Sequence, residues 1–431
     1  MIKLLILADD LTGSLDTGVQ FANCGIETKI ITDSNYDFKK VPDNVEVLVI
    51  DTETRPLDSN EAYDIIFKLI KRALNCGIKT IYKKTDSALR GNVGSELAAV
   101  ADAAEKNLVF APAFPEIGRI TLKGSHYVEN QLVHESIFGK DPFEPVKNSY
   151  VPDIISEQSD IDVKIANVNQ YSDVCDNSRK KIIVFDATRD DDLEKLSQRI
   201  SFGDKVNLLA GCASFANHIK NRIEFLRNNP KDIDKSKKCI VICGSLNPIT
   251  SKQIDYAAEK GFVRINLSDN QKKEKDYFKS SRGRDCLNEI IDTCTENDYV
   301  IVETLDIDNN NKDRIVEERR NISADNSRQV ISDNLGDIII GLIQKDINAT
   351  YIVTGGDTLM GFVRRAGNPE LCPIREIEQG AVVSRTELGD KKVQLISKSG
   401  GFGEEDTLVK IAKKVSDWSD VDEIYYDSSG L

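Results

Sequence analysis

Histidine is scarce in this chain: His126, His134 and His218 are the only three among 431 residues. His-based metal centres and Ser–His–Asp triads are therefore poorly supplied. Nine cysteines are scattered with no C-x-x-C pair. Zinc-site spacing is absent, and reduced, mostly buried thiols are expected. No apolar run approaches the ~18 residues of a membrane span. Asp9 and Asp10 interrupt the apolar start of the chain too early for a signal peptide. Neither GxxxxGKS/T nor GxGxxG occurs, so a P-loop and a standard dinucleotide fingerprint are unsupported. Positive charge is in deficit, with 57 Lys+Arg against 71 Asp+Glu and a net charge of −14. That balance disfavours nucleic acid and anionic membranes as partners, yet leaves room for a small anion in a local basic pocket. A soluble, cytoplasmic protein is expected.

What is present is a rhythm. Short apolar runs at Ile2–Ala8, Thr28–Ile31, Val45–Asp51, Thr80–Tyr82, Leu108–Ala111, Ile182–Asp186 and Val206–Ala210 alternate with segments of helical spacing. These include Asp16–Asn23, Ser59–Asn75 and Ser95–Ala104. This β-α-β pattern predicts a mainly parallel sheet covered by helices. The polar stretch NNPKDIDKSKK (228–238) interrupts it and reads as a linker. The rhythm then restarts, with strands expected at Cys239–Cys243, Val263–Leu267, Tyr299–Val302, Ala349–Val353, Ala381–Arg385 and Val393–Ser397. The expectation is two α/β domains, 1–228 and 239–431, with polar stretches Ser268–Arg284 and Asp306–Asn326 as surface loops or charged helix ends.

The residues that could carry chemistry follow strands, where open α/β sheets bind ligands. Asp9 and Asp10 follow the first strand. They could hold a metal, take a proton or bind hydroxyls, although Asp10 also suits a helix N-cap. Arg55 follows the third strand and could clamp a carboxylate. KKTDSALRGN (83–92) places Lys83, Lys84, Asp86 and Arg90 after the strand Thr80–Tyr82, in a position that favours an anion site over a solvated charge run. Arg119 projects from a proline-braced loop, APAFPEIGR (111–119). In the second half, glycine-bearing loops follow three strands: Gly244-Ser245, Gly355-Gly356-Asp357-Thr358, and Gly400-Gly401-Phe402-Gly403. Glycine lets backbone N–H groups approach a phosphate, and a following helix N-terminus favours anionic charge. Ordinary strand-to-helix turns use the same residues.

Taken in order, these segments resemble the four-carbon acid sugar kinase family over nearly the whole chain. The resemblance is carried by ADDLTGSLDTGVQFANCG (8–25), DTETR (51–55), IYKKTDSALRGNVGSEL (81–97), FAPAFPEIGRITLKG (110–124) and DPFEPVKNSYVPDII (141–155). CGSLNPIT (243–250), VTGGDT (353–358) and SKSGGFGEEDTL (397–408) continue it. Ala88, Cys212 and Gly401 depart from the family's usual residues. The resemblance implies a sugar-acid-binding N-terminal domain, an ATP-binding C-terminal domain and an active-site cleft between them. It also implies phosphorylation of the 4-hydroxyl of threonate, erythronate or 3-oxotetronate with ATP and Mg²⁺. It places ATP contacts at Ser245, Gly355, Gly356, Asp357, Thr358 and Gly401, and substrate contacts at Asp9, Arg55, Lys83, Lys84, Asp86 and Arg90. Asp86 and Asp10 are the preferred catalytic carboxylates, with the metal ligands unassigned. The state of assembly is left open, a homo-oligomer included. Two rival readings fit the same segments: a non-catalytic ligand-binding or regulatory protein, and a nicotinamide-dependent oxidoreductase of small hydroxy acids.

Overall fold

Leu4-Leu5-Ile6-Leu7-Ala8 is buried at every position. Such a run cannot lie on a sheet with one wet face, because alternate side chains would meet water. In the computed structural model of the protein it is the strand β1, inside a sheet covered on both sides. The structure describes residues 1–141, 143–175, 180–245, 247–305 and 325–416. They divide into two compact units, Met1–Pro230 and Lys231–Leu431. The division falls within the polar stretch 228–238.

The main sheet of the first unit has eight strands, all parallel: β1 (Leu4–Ala8), β2 (Thr28–Ile31), β3 (Val47–Asp51), β4 (Thr80–Lys84), β5 (Leu108–Ala111), and, after a small sheet described next, β9 (Val163–Ala166), β10 (Ile182–Phe185) and β11 (Asn207–Gly211). Their order is β2-β3-β1-β4-β11-β5-β10-β9. The chain leaves β1 toward one edge and returns to build β4 on its other side. The β1/β4 boundary is therefore the switch point, where crossover connections diverge and leave a crevice. A small antiparallel sheet follows β5: β6 (Arg119–Leu122), β7 (Ser125–Val128) and β8 (Gln131–Leu132).

The second unit has the order β13-β14-β12-β15-β18-β17-β16. Its strands are β12 (Lys238–Cys243), β13 (Val263–Asn266), β14 (Tyr299–Glu303), β15 (Ala349–Thr354), β16 (Cys372–Glu378), β17 (Ala381–Leu388) and β18 (Lys391–Lys398). The first five in that order run parallel, and β16 and β17 form an antiparallel edge. No helix among the described residues is long and apolar enough to cross a membrane.

Several expectations need correction. The strand expected at Thr80–Tyr82 runs on through Lys83 and Lys84, both buried. Backbone pairing to Ala210 and Gly211 continues there, and the Lys83 charge is met by a buried Glu96, so burial does not stop the strand. Of the two readings left open for Ser268–Arg284, the structure bears out charged helix ends over a surface loop: Asp269–Lys273 and the beginning of Ser281–Glu296 lie in it. Its apolar contacts, Tyr277 and Phe278, are too few to show a period. The strands β6 to β9 and β16 are additions to the expected set; β6 to β9 have four residues or fewer, and β16 carries three charged residues among seven. The stretch 306–324, within the loop expected at Asp306–Asn326, lies outside the described residues.

Candidate functional site

In the first unit the switch point gathers charge. The helix α1 (Leu11–Ala22) starts directly after β1, and Asp10 caps it by accepting from the Gly13 amide at 3.0 Å. The cap leaves Asp10 free to serve as an acceptor a second time. Arg55, in the loop after β3, donates through Nε to Asp9 Oδ2 at 2.7 Å and through Nη1 to Asp10 Oδ2 at 2.9 Å. Its Nη2 lies 3.8 Å from Asp86 Oδ1. Asp86 is gripped in turn by Arg90, whose Nη1 also reaches Asp141 Oδ2 at 3.2 Å. Asp9, Asp10, Arg55, Asp86 and Arg90 thus form one continuous chain of ion pairs. The loop after β3 is pinned by Asn92, whose amide donates to the carbonyls of Thr54 and Leu57, both at 2.8 Å.

The electrostatics follow from this chain. Burial alone would drive the Asp9 carboxyl up, but Arg55, Lys83 and Lys84 outweigh it and hold it below the usual range. For Asp86 burial is overcome more decisively, by Arg90 and then Arg55, and its carboxyl sits well below the usual range. Asp51, at the end of β3, shows the opposite. Burial and the neighbouring Glu53 and Asp10 raise it well above that range. One oxygen of Asp9, Oδ1, is buried without a hydrogen-bond partner, and so is the Thr85 hydroxyl.

The two lysines of β4 part company, as neighbours on a strand must. Lys83 is fully buried, 3.0 Å from Glu96 Oε2, and donates to the Lys84 carbonyl at 2.8 Å. Glu96 lies on the helix α3 (Val93–Ala104) and also accepts from Thr54. Lys83 therefore makes no hydrogen bond or ion pair to the carboxylates of the cluster, although its charge is one of those that hold Asp9 down. Lys84 has no hydrogen-bond or ion-pair partner among the described residues, and its ammonium sits over Gly13, where an added Cβ would lie 2.6 Å away. Sequence reasoning passed over Glu96, although a lone carboxylate in a helix as apolar as VGSELAAVADAA is a signal. It also passed over Phe138, whose ring lies 5.2 Å from the Arg90 guanidinium and 5.0 Å from that of Arg119.

In the second unit β12, β15 and β18 are neighbours and parallel, so their three glycine loops emerge side by side. They touch. A Cβ at Gly244 would lie 2.5 Å from the Thr358 hydroxyl, and one at Gly400 would lie 2.5 Å from the Ser245 hydroxyl. Gly401 packs toward the Asn247 amide. Gly355 has φ +101, a conformation that side chains rarely adopt, and it opens directly into the helix Gly356–Arg365. Its first turn carries Asp357, paired with Arg328 at 2.7 Å, and buried Thr358. No side chain caps that helix, so its first N–H groups remain for a ligand. The third loop is latched from two sides. Thr250 and Gln253 donate to its carbonyls, and Lys398 donates to Ser399 O and Phe402 O, both at 3.0 Å. Burial pushes the Lys398 ammonium down to about 8.

No group of three or more His, Cys, Asp or Glu that could hold a metal occurs among the described residues. One buried carboxylate oxygen, Asp9 Oδ1, has no hydrogen-bond partner and could serve as a ligand to a cation.

A cluster of acids and cations at a sheet switch point, and a second sheet presenting three glycine loops, are features of the class of α/β proteins that bind small polar and anionic ligands. The profile of a sugar-binding N-terminal domain matches residues 4–219, and that of a nucleotide-binding C-terminal domain matches residues 240–408. The chain belongs to the four-carbon acid sugar kinase family. It is 28% identical to a D-threonate kinase of Salmonella typhimurium over 435 residues, 94% of this chain and 97% of that one. It is 28% identical to a D-erythronate kinase of Heliobacterium modesticaldum over 59% of this chain and 60% of that one. It is 34% identical to a 3-oxo-tetronate kinase of Escherichia coli over 37% of this chain and 42% of that one. Its fold is shared with a solved structure from Salmonella typhimurium (TM-score 0.79, 19% identity, 96% of this chain and 100% of that one). A Haemophilus influenzae protein is also similar (TM-score 0.70, 19% identity, 94% of this chain and 98% of that one).

Proposed function

We propose that this protein transfers the γ-phosphoryl group of ATP to the 4-hydroxyl of a four-carbon acid sugar: D-threonate, D-erythronate or 3-oxotetronate. The observation that carries this is the presence in one chain of the ion-pair chain Asp9–Arg55–Asp86–Arg90 at the β1/β4 switch point of the first unit and of three mutually touching glycine loops on β12, β15 and β18 in the second. Phosphoryl transfer asks the protein for positioning and charge neutralisation more than for covalent chemistry. Ser245, Gly355, Gly356, Asp357, Thr358 and Gly401 hold the ATP phosphates through backbone N–H groups and hydroxyls. Mg²⁺ brought with ATP would supply charge neutralisation on the phosphates. Domain 1–228 takes the sugar acid, and domain 239–431 takes ATP.

Asp10 accepts the proton of the 4-hydroxyl. Its side chain is 26% exposed, against 3% for Asp9 and 8% for Asp86, so it is the carboxylate of the three that a substrate can reach. Asp86, the other expected catalytic carboxylate, suits the part of a fixed anion instead. Held far below the usual range, it is a weak proton acceptor but a firm anchor for Arg55, Arg90 and a substrate hydroxyl.

An ADP-release screen over D- and L-threonate, D- and L-erythronate and 3-oxotetronate tests the reaction. Turnover of ATP that depends on one of these acids is expected, and a silent panel from folded protein overturns the reading. Asp10→Asn separates the roles, because asparagine keeps the helix cap. A ~10²-fold fall in kcat is expected for a lost base.

A further inference from the structure

The cations of the first unit differ in what they already hold. Lys83 is matched by Glu96, Arg55 by Asp9 and Asp10, and Arg90 by Asp86 and Asp141. Of the five cations Arg55, Lys83, Lys84, Arg90 and Arg119, two have no carboxylate within ion-pair distance among the described residues: Lys84, 6% exposed, and Arg119, the first residue of β6. A buried cation without a counter-ion is costly, and such a site is completed when an anion arrives.

Their surroundings place them together. β4, β11 and β5 are adjacent, and Lys84 ends β4 while Cys212 follows β11. The Cys212 Sγ donates to the carbonyl of Ala113, in the loop after β5 that leads to Arg119. The Cys212 thiol feels the charge of both Lys84 and Arg119. Arg119 is aimed rather than loose: it donates to the Ser87 hydroxyl and lies over the Phe138 ring. Ser87 is itself held, since its carbonyl accepts from His126 Nε2 at 2.9 Å. Beside Lys84 the buried Thr85 hydroxyl has no partner. Two cations that no carboxylate touches and a spare hydroxyl make a carboxylate site, because a guanidinium fork and an ammonium can share one carboxylate's two oxygens.

We infer that Lys84 and Arg119 form the seat of the substrate carboxylate, and that Arg119 makes this protein select an acid over the corresponding neutral polyol. This rests on the sugar-acid reading above. It moves the carboxylate contact away from Arg55, Arg90 and Lys83, whose charges are already met within the protein.

The test compares wild type, Arg119→Gln and Arg119→Lys, the last keeping charge without the fork. With ATP and Mg²⁺, kcat/KM is measured for D-threonate, D-erythronate and 3-oxotetronate and for the neutral polyols threitol and erythritol. Arg119→Gln is expected to lower kcat/KM on the accepted acid by roughly 10²-fold. The neutral polyols should change less than about threefold and the ATP KM should stay put, so that the acid-over-polyol preference collapses; Arg119→Lys should restore part of it. A preference retained in Arg119→Gln overturns the inference, as does an equal loss on acid and polyol. A parallel melting-temperature series with each acid and no ATP gives a readout independent of turnover. If wild type is stabilised by an acid it does not phosphorylate and Arg119→Gln is not, the seat stands and the kinase reading falls. If none of the acids stabilises wild type, the seat falls. Should Arg119→Gln not fold, Lys84→Gln and Arg119→Lys carry the same comparison.

Discussion

The Arg90 guanidinium grips both carboxylate oxygens of Asp86, Nε to Oδ2 and Nη2 to Oδ1, each at 3.0 Å. A bidentate pair of this kind fixes geometry as well as charge. Burial works against the Asp86 charge, so its low pKa depends on Arg90 first and Arg55 second. Removing Arg90 as Arg90→Met takes away the larger support, and the Asp86 pKa rises toward the usual carboxylate range. Protonation then sets in at a higher pH. The acid-side fall of kcat/KM is expected to move to higher pH in Arg90→Met, as read from the pH–rate profile. An unmoved acid limb would show that Asp86 need not be ionised for turnover.

The Lys83–Glu96 pair makes a prediction about stability rather than rate. Both side chains are buried, 3.0 Å apart. Removing one partner leaves a buried charge unmatched, which costs about 3–5 kcal/mol. Glu96→Ala should lose that much in urea denaturation. The double variant Lys83→Met/Glu96→Leu should recover most of the loss. A Glu96→Ala protein within 1 kcal/mol of wild type would contradict this account.

His126 should report on acid stability. Burial pushes its imidazole down from 6.5 to about 4. Between those values the unfolded chain binds a proton that the folded chain refuses, so stability falls as pH drops through that window. The loss between pH 6.5 and 4 is about 3 kcal/mol. His126→Gln should flatten that part of the stability curve by a similar amount, measured by denaturant unfolding at several pH values. Equal slopes in the two proteins would mean that His126 is protonated in the fold.

Gly244 separates nucleotide binding from sugar binding. A Cβ there would lie 2.5 Å from the Thr358 hydroxyl and 2.9 Å from Leu335 Cδ1. Thr358 belongs to the first turn of the helix Gly356–Arg365, so Gly244→Ala must disturb that helix start. The ATP KM is expected to rise about tenfold, worth about 1.4 kcal/mol, while the acid KM stays within a factor of two. A rise in the acid KM alone would place the sugar acid against this loop.

The alternation of apolar runs and helical segments determined the class of fold. Leu4–Ala8, Val47–Asp51 and Cys239–Cys243 are buried from end to end, and only a sheet covered on both faces accommodates them. Most expected strands lie within two residues of where they form, because burial of a continuous apolar run is a local property of the chain. The sequence also singled out Asp9, Asp10, Arg55, Asp86 and Arg90, since residues after strands collect at one end of a parallel sheet.

Tertiary structure decided which charges are already matched. Lys83 and Lys84 are neighbours in sequence, yet strand geometry turns one to Glu96 on α3 and leaves the other beyond ion-pair distance of any carboxylate among the described residues. Arg119 and Cys212 lie far apart along the chain and meet only because β11 inserts between β4 and β5. The three glycine loops read alike as ordinary turns until the strand order makes β12, β15 and β18 neighbours. Charge pairing depends on distances between segments that the chain brings together late, and a one-dimensional pattern carries no record of them.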